Sequence, residues 1–333
     1  MVVKKERGEL DKAALKKCQS KLNNARSEMH KIVVGYDDTI DALLRAMISN
    51  GHVLIEGVPG IAKTLVMLSL SRVTGTEFKR IQFTPDMLPS DIIGINSYDP
   101  KKGFTTIKGP VFTNLVLADE INRASPKVQS AMLEAMQERT VTIAGESFKM
   151  DNPFLVLATQ NTIESLGVYA LPAAQLDRFL FKLYMDYLKP EEEKRVLHKN
   201  ISLYKLEDFN LRQTLKKEEL LKMQELVHKV YLSDEVEEYI VNLVNSTRHP
   251  KKYRLELGKY IQYGSSPRAS LGLYIAAKAQ ALMTGHTFVT PEHVKDVAHD
   301  VLRHRILLNY EGQAEEVKED AVISEMLSKV PVV

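Results

Sequence analysis

The chain has little of several features that define whole classes of protein. Its 333 residues include one cysteine, Cys18, so an intramolecular disulfide is excluded and a reducing cytosol is the expected compartment. No run of 18 apolar residues occurs, so the sequence predicts no transmembrane helix. The opening residues, MVVKKE, contain no apolar core, and we expect no signal peptide. The sequence therefore favours a cytoplasmic location.

The chain also lacks a strong excess of either charge. Its net charge of +2 does not support bulk electrostatic binding to nucleic acid. The basic segment Arg248–Arg254 could touch phosphates, but a solvated loop between two helices is the favoured alternative. A content of 44% hydrophobic and 26% charged residues is that of a globular protein, and the length predicts one large domain or two ordinary ones.

What the chain does contain is a glycine-rich loop in the setting of a phosphate site. The loop has the sequence Gly57, Val58, Pro59, Gly60, Ile61, Ala62, Lys63, Thr64 and is followed by Leu65. An apolar run precedes it and a helical pattern follows it, so backbone N–H groups would point at an anion. Lys63 would reach the β- and γ-phosphates, and the Thr64 hydroxyl would bind Mg²⁺. Ala62 stands where the pattern usually has a second glycine, and Gly57 and Gly60 are expected to supply unusual backbone angles.

A second apolar run, from Leu115 to Ala118, ends in two acids, Asp119 and Glu120. The run predicts a parallel strand buried on both faces, whose carboxyl end lies at the ligand-binding edge of the sheet. Asp119 could hold a metal ion, and Glu120 could act as general base towards a water molecule. The alternative is that both acids only cap the next helix.

Two further polar positions are candidates. Asn161 follows a third apolar run, Phe154–Thr159, and could hold the attacking water, although asparagine is also a common turn residue. Arg178 precedes the apolar run Leu180–Tyr184. It is either a solvated charge or an arginine that reaches a neighbouring subunit's γ-phosphate. No second arginine of the same chain is expected beside Lys63.

The pattern along the chain predicts three parts. Residues 1–30 form a helical extension, residues 31–188 an α/β core with a parallel sheet flanked by helices, and residues 189–333 a smaller all-helical domain. Two hairpins interrupt the core, one within residues 91–113 and one at about 140–150.

The ordered motifs GVPGIAKT, LVLADE, ATQN, LDRF and SSPRA resemble those of the AAA+ ATPases, and the segments DEINRA and QSAMLEAMQE resemble the MoxR branch. The resemblance covers residues 30–310 or so. It implies a P-loop core with a helical lid, which binds ATP. It further implies that Thr64 and Asp119 bind Mg²⁺ and that Glu120 is the catalytic acid. It also implies Asn161 as sensor 1, Arg178 as arginine finger, Arg268 as sensor 2, and Gly35 in the segment near adenine.

The placement of Arg178, with no obvious second arginine beside Lys63, leads us to expect a ring as the active unit, most simply a hexamer. The resemblance implies that this unit remodels a protein client. A protein with a von Willebrand factor A domain is the expected client or adaptor, and the two hairpins are expected to face the ring's pore. Two positions depart from the family pattern: Tyr36 replaces a glutamine, and Ala173 replaces a glutamate near the expected subunit interface. A magnesium-chelatase-like subunit and a nucleic-acid motor of the same superfamily remain the alternatives.

Overall fold

The structure is a computed structural model that describes residues 11–58, 60–101, 103–161, 168–199 and 209–332. By packing, the chain divides into two compact units. One, the core unit, is Asn23–Leu221. The other, the lid unit, combines the described parts of Met1–Leu22 and Lys222–Val333. The core unit continues past residue 188, and the bounds expected from the sequence stay a prediction.

Before and within the core unit, the helices are α1 (Lys12–Met29), α2 (Asp37–Ile48), α3 (Lys63–Thr74), α4 (Pro89–Ile93), α5 (Pro126–Glu138), α6 (Ala173–Leu176) and α7 (Pro190–Lys199). The strands are β1 (Val53–Gly57), β2 (Phe78–Gln82), β3 (Gly94–Asp99), β4 (Gly103–Lys108), β5 (Leu115–Asp119), β6 (Thr140–Ile143), β7 (Glu146–Lys149), β8 (Leu155–Gln160) and β9 (Phe181–Met185).

Five of these strands form a parallel sheet in the order β2-β5-β8-β1-β9. The three central strands begin with apolar residues that are buried, as expected for a parallel sheet covered on both faces, and only their carboxyl ends are partly exposed. Because all five run in the same direction, the ends of β1, β5 and β8 meet at one edge. That edge carries the glycine-rich loop and the two acids.

Two antiparallel hairpins stand apart from the sheet. Strands β3 and β4 pair from Gly94 to Lys108, and β6 and β7 pair from Thr140 to Lys149. The ammonium of Lys108, at the base of the first hairpin, lies 5.0 Å from the ring centroid of Phe112 and 5.6 Å from that of Phe148 on the second. This cation–π contact joins the two hairpins within the core unit.

The remaining elements are α8 (Lys217–Lys229), α9 (Asp234–Arg248), β10 (Ile261–Tyr263), α10 (Pro267–Thr284), α11 (Pro291–Leu302), β11 (Leu307–Leu308), α12 (Tyr310–Ala314) and α13 (Glu319–Lys329). The lid unit is therefore helical, as the sequence predicts, with one short antiparallel ladder, β10-β11, that the sequence analysis did not anticipate. Among the described residues, no helix is both long enough and apolar enough to cross a membrane.

Candidate functional site

The glycine-rich loop connects β1 to α3, and two of its described residues are in the left-handed region. Gly60 has φ 82° and Ala62 has φ 61°. Ala62 thus adopts the conformation for which a glycine is usual, at some cost in strain. Gly57 does not have a positive φ, so the expectation that it supplies an unusual backbone angle was wrong. It is needed for close packing instead, because a Cβ there would lie 2.2 Å from the carbonyl oxygen of Met185.

A cavity of about 500 Å³ opens at this edge of the sheet. It is lined by Gly60, Ile61, Ala62, Lys63, Thr64, Leu65, Arg80, Gln82, Asp119, Glu120 and Asn161. The structure therefore brings together most of the predicted nucleotide-binding residues, both acids and the expected sensor asparagine. Gly57 and Val58 lie just before this lining, and the predicted contact of Pro59 falls outside the described residues.

Lys63 begins α3, and its ammonium donates a hydrogen bond to the carbonyl oxygen of Gly57 at 2.9 Å. Burial lowers the pKa of Lys63, and the nearby carboxylates of Asp119 and Glu120 act in the opposite direction. A half-buried ammonium with one backbone partner in this arrangement has spare donors for a polyphosphate. The helix N-terminus behind it adds backbone N–H groups with the same preference for anions.

Asp119 and Glu120 are held by Thr159, a fully buried residue of β8. The Thr159 hydroxyl donates to Oδ1 of Asp119 at 2.7 Å and accepts the backbone N–H of Glu120 at 2.8 Å. Glu120 itself is in the left-handed region, with φ 57°. A single hydroxyl on the neighbouring strand therefore holds the carboxylate of Asp119 and the backbone of Glu120, and the roles of both acids stay a prediction.

The two acids are contacted by three polar residues whose roles were not predicted from the sequence. Arg80 donates to Oδ2 of Asp119 through Nε at 3.0 Å and Nη2 at 2.6 Å. Gln82 Nε2 and Arg123 Nη1 donate to Oε2 of Glu120 at 2.8 and 3.0 Å.

The expectation that no second arginine of the same chain lies beside Lys63 was therefore wrong, since Arg80 lines the same cavity. One feature of the sequence could have identified Arg80 and Gln82 as site residues, namely that they lie two positions apart on β2. This spacing puts both side chains on one face of the strand. Gln82 pairs in register with Asp119, which places that face beside the acids.

The donor set around the cavity fits Mg²⁺. This ion favours one or two carboxylates together with substrate phosphates and water. Asp119 offers one carboxylate at the strand end, and Thr64, a residue with a hydroxyl side chain, lines the same cavity. Within the described residues, no cluster of three or more His, Cys, Asp and Glu side chains is placed to form a metal cage. The geometry therefore suits an ion that arrives with a phosphate ligand.

Asn161, directly after β8, is buried at the cavity, and its carbonyl oxygen accepts a weak hydrogen bond from Asn122 at 3.4 Å. Two other candidates lie elsewhere. Gly35, with φ 67°, packs against Leu188, and its predicted place near adenine stays a prediction. Arg268 follows the capping residue Ser266 at the start of α10 in the lid unit, and its predicted contact with nucleotide also stays a prediction.

Arg178 lies at the opposite edge of the sheet from Lys63. It comes three residues before Phe181, which pairs with Val53 at the start of β1, whereas the phosphate loop follows the end of β1. A strand rises about 3.3 Å per residue, so these edges are roughly 16 Å apart. The Nε of Arg178 is buried and has no hydrogen-bond partner within the described part of the chain.

The comparisons with known proteins agree with this site. Residues 52–181 match the model of the ATPase family associated with various cellular activities (AAA), and residues 257–326 match an AAA lid domain. Chaperone MoxR1 of Mycobacterium tuberculosis is 45% identical over 93% of this chain and 81% of its own. Protein MoxR of Methylorubrum extorquens is 28% identical over 89% of this chain and 90% of its own.

The crystal structure of a candidate ATPase from Cytophaga hutchinsonii is 44% identical, with a TM-score of 0.90 over 96% of this chain and 97% of that one. The identity and coverage of these relatives, together with the loop, the strand-end acids and the lid, show that this chain is an ATPase of the MoxR family of AAA+ proteins.

Proposed function

We propose that this chain hydrolyses ATP with Mg²⁺ as part of a ring of its own copies and uses the energy to remodel a protein client. The observation that carries the proposal is the grouping of Lys63, Thr64, Asp119, Glu120 and Asn161 around one cavity at the carboxyl edge of the sheet. Each of these side chains has a distinct task in phosphoryl transfer to water, and all of them face the same space.

Positioning and charge carry such a reaction. Lys63 and the N–H groups at the start of α3 bind the β- and γ-phosphates, while Asn161 positions the attacking water. Glu120 takes a proton from that water, with its carboxylate oriented by Gln82 and Arg123. Mg²⁺, when bound through Thr64 and Asp119, neutralises charge that develops on the phosphate oxygens.

The position of Arg178 supports a ring. Its backbone precedes β9 at the amino edge of the sheet, roughly 16 Å from the edge that holds its own cavity. Arg178 therefore serves a neighbour's γ-phosphate and not its own. Head-to-tail contacts of this kind close into rings when the rotation permits, and a hexamer is the proposed size.

Mixing two inactive variants tests the ring. Arg178→Ala should abolish turnover, because an arginine supplied in trans contributes about 10³–10⁵ in rate in related reactions. Lys63→Ala should abolish it because the ammonium that binds the phosphates is lost. In mixed assemblies, some cavities combine an intact Lys63 with a neighbour's intact Arg178, so activity should partly return. No recovery at any ratio, between subunits shown to exchange, would place Arg178 in its own site or in a structural role.

The proposed client role rests on two supports. The related protein of Mycobacterium tuberculosis is named a chaperone. The β3–β4 hairpin also exposes four large apolar side chains within one short element, Ile95, Tyr98, Phe104 and Ile107. We propose that the two joined hairpins contact the client, and that a protein with a von Willebrand factor A domain serves as client or adaptor.

A further inference from the structure

Arg80 contacts the carboxylate of Asp119, the side chain that would hold a metal ion. Both hydrogen bonds from its guanidinium end on Oδ2, at 3.0 and 2.6 Å, while Oδ1 already accepts the Thr159 hydroxyl at 2.7 Å. The same Nη2 of Arg80 also donates to Gln82 Oε1 at 2.7 Å. Both oxygens of Asp119 are therefore engaged before any metal arrives.

Positively charged side chains offset the negative charge of both acids in this arrangement. Asp119 and Glu120 carry two negative charges, and Lys63 and Arg80 line the same cavity with two positive ones. Arg123 adds a third cation on Glu120. A free divalent ion approaching Asp119 would meet a paired carboxylate and two nearby cations, which opposes its binding.

We propose that Arg80 holds the place of the metal ion at Asp119, so that the cavity rejects free divalent ions and admits the metal only together with a polyphosphate. This inference rests on the proposed Mg²⁺-dependent function and deepens it by assigning a residue that couples metal binding to nucleotide binding. The phosphate charge that arrives with the metal gives Arg80 and Lys63 a new anionic partner, which compensates for the loss of the Arg80–Asp119 pair.

The side chain of Arg80 is suited to this exchange because it is about half exposed, with a relative accessibility of 48%, whereas that of Asp119 is 14%. A half-exposed guanidinium can leave its partner at modest cost, since pairs near the surface are partly screened. A fully buried pair would resist separation far more strongly. The pair is thus strong enough to compete with a free ion and weak enough to yield to a metal–nucleotide complex.

The test measures binding of Mn²⁺ alone, by electron paramagnetic resonance, to the full chain without nucleotide. Arg80→Met should bind Mn²⁺ roughly three- to tenfold more tightly than the wild type, because Oδ2 of Asp119 is released. Arg80→Lys, which keeps the charge but not the two-nitrogen contact, should fall between them. Adding Asp119→Asn to Arg80→Met should remove the gain. Equal Mn²⁺ affinity in the wild type and Arg80→Met would overturn the inference.

Two matched variants separate this role from a general effect of charge. Arg123→Met removes a cation that pairs with Glu120, and Lys79→Met removes an exposed cation on the other face of β2. Neither variant should raise Mn²⁺ affinity as Arg80→Met does. An equal rise in all three would show that Arg80 acts only through its positive charge and would overturn the inference.

A separate measurement, Mn²⁺ uptake by the wild type with ATP present, tests the proposed function itself. If metal is not taken up with ATP, that function fails whatever Arg80 does. If metal is taken up and Arg80→Met changes nothing, only the role of Arg80 fails.

Discussion

The hydroxyl of Thr159 donates a hydrogen bond of 2.7 Å to Oδ1 of Asp119, across two neighbouring strands of the parallel sheet. Through the same oxygen it accepts the backbone N–H of Glu120. Thr159, which is not among the residues that line the cavity, therefore holds the carboxylate of Asp119 and the backbone of Glu120. It links the packing of the sheet to the chemistry at its edge.

Replacing Thr159 with Val should impair both folding and turnover. The change leaves a partly buried carboxylate oxygen and a partly buried N–H without this partner, which costs about 1–3 kcal/mol in the free energy of unfolding. Displacement of Glu120 should lower turnover by roughly tenfold or more. Thr159→Ser keeps the hydroxyl and should retain most of the rate. Denaturant unfolding and phosphate release measure the two effects, and equal rates for Val and Ser would remove Thr159 from the catalytic arrangement.

Nucleotide affinity should fall at alkaline pH because of Lys63. Burial lowers the pKa of Lys63 below that of an ordinary lysine, and only its charged form binds polyphosphate well. Affinity should be constant near neutral pH and decline as the pH rises through this lowered pKa, before an exposed lysine would lose its proton. Calorimetric titration across that range measures the decline. Lys63→Arg should flatten the profile, and an unchanged profile in that variant would assign the pH effect to another group.

Changes at the β3–β4 hairpin should affect the client and not the nucleotide. Replacing Tyr98 and Phe104 with Ser, or Lys101 with Glu, should leave basal ATP hydrolysis within about twofold, because surface changes away from the site rarely alter it. Proteins that copurify with a Glu120→Gln trap should be lost when Tyr98 and Phe104 are also replaced.

The same charge reversal is predicted to act at Lys102, a residue that lies outside the described part of the chain. Val241→Ser, at another exposed apolar position, is the control. Equal loss of basal and client-stimulated rates would place the hairpin near the nucleotide.

Acid should destabilise the core unit through His52. This fully buried residue accepts the Val156 N–H at Nδ1 and faces the Met136 carbonyl oxygen through Nε2, and burial lowers its pKa to about 3. The unfolded chain takes up a proton near the ordinary pKa of about 6.5, whereas the folded one does not until about pH 3.

Stability is therefore lost as the pH falls through this window, by roughly 2 kcal/mol between pH 8 and pH 5. Denaturant unfolding at both pH values measures the loss. His52→Gln should show a smaller loss than the wild type, whatever its absolute stability. The same loss in both would assign the acid sensitivity to other groups.

The sequence was enough to predict the elements that carry the site. Apolar runs ending in polar residues predicted β1, β5 and β8, and the helical pattern after the glycine-rich loop predicted α3. The residues that follow these strands are far apart in the sequence, but a parallel sheet brings the carboxyl ends of its strands to one edge. The motif residues Lys63, Asp119, Glu120 and Asn161 therefore met as expected.

The contacts between strands could not be predicted in the same way. Arg80 and Gln82 act on the acids only because β2 lies beside β5 in a register that pairs Gln82 with Asp119. No local pattern encodes that register. The role of Gly57 was misjudged for a related reason, since its requirement comes from the close approach of Met185 on β9. The ladder between β10 and β11 is two to three residues long and leaves no clear alternation in the sequence.

The most direct test of the account is the comparison of Glu120→Gln with Lys63→Ala. A glutamine at position 120 keeps the size of the side chain and an oxygen for Gln82 and Arg123, but it cannot take a proton from water. Glu120→Gln should bind ATP about as well as the wild type while its turnover falls on the order of 10²-fold or more. Lys63→Ala should lose nucleotide binding itself. Near-normal turnover by Glu120→Gln, measured as phosphate release, would contradict the assignment of Glu120 as the general base.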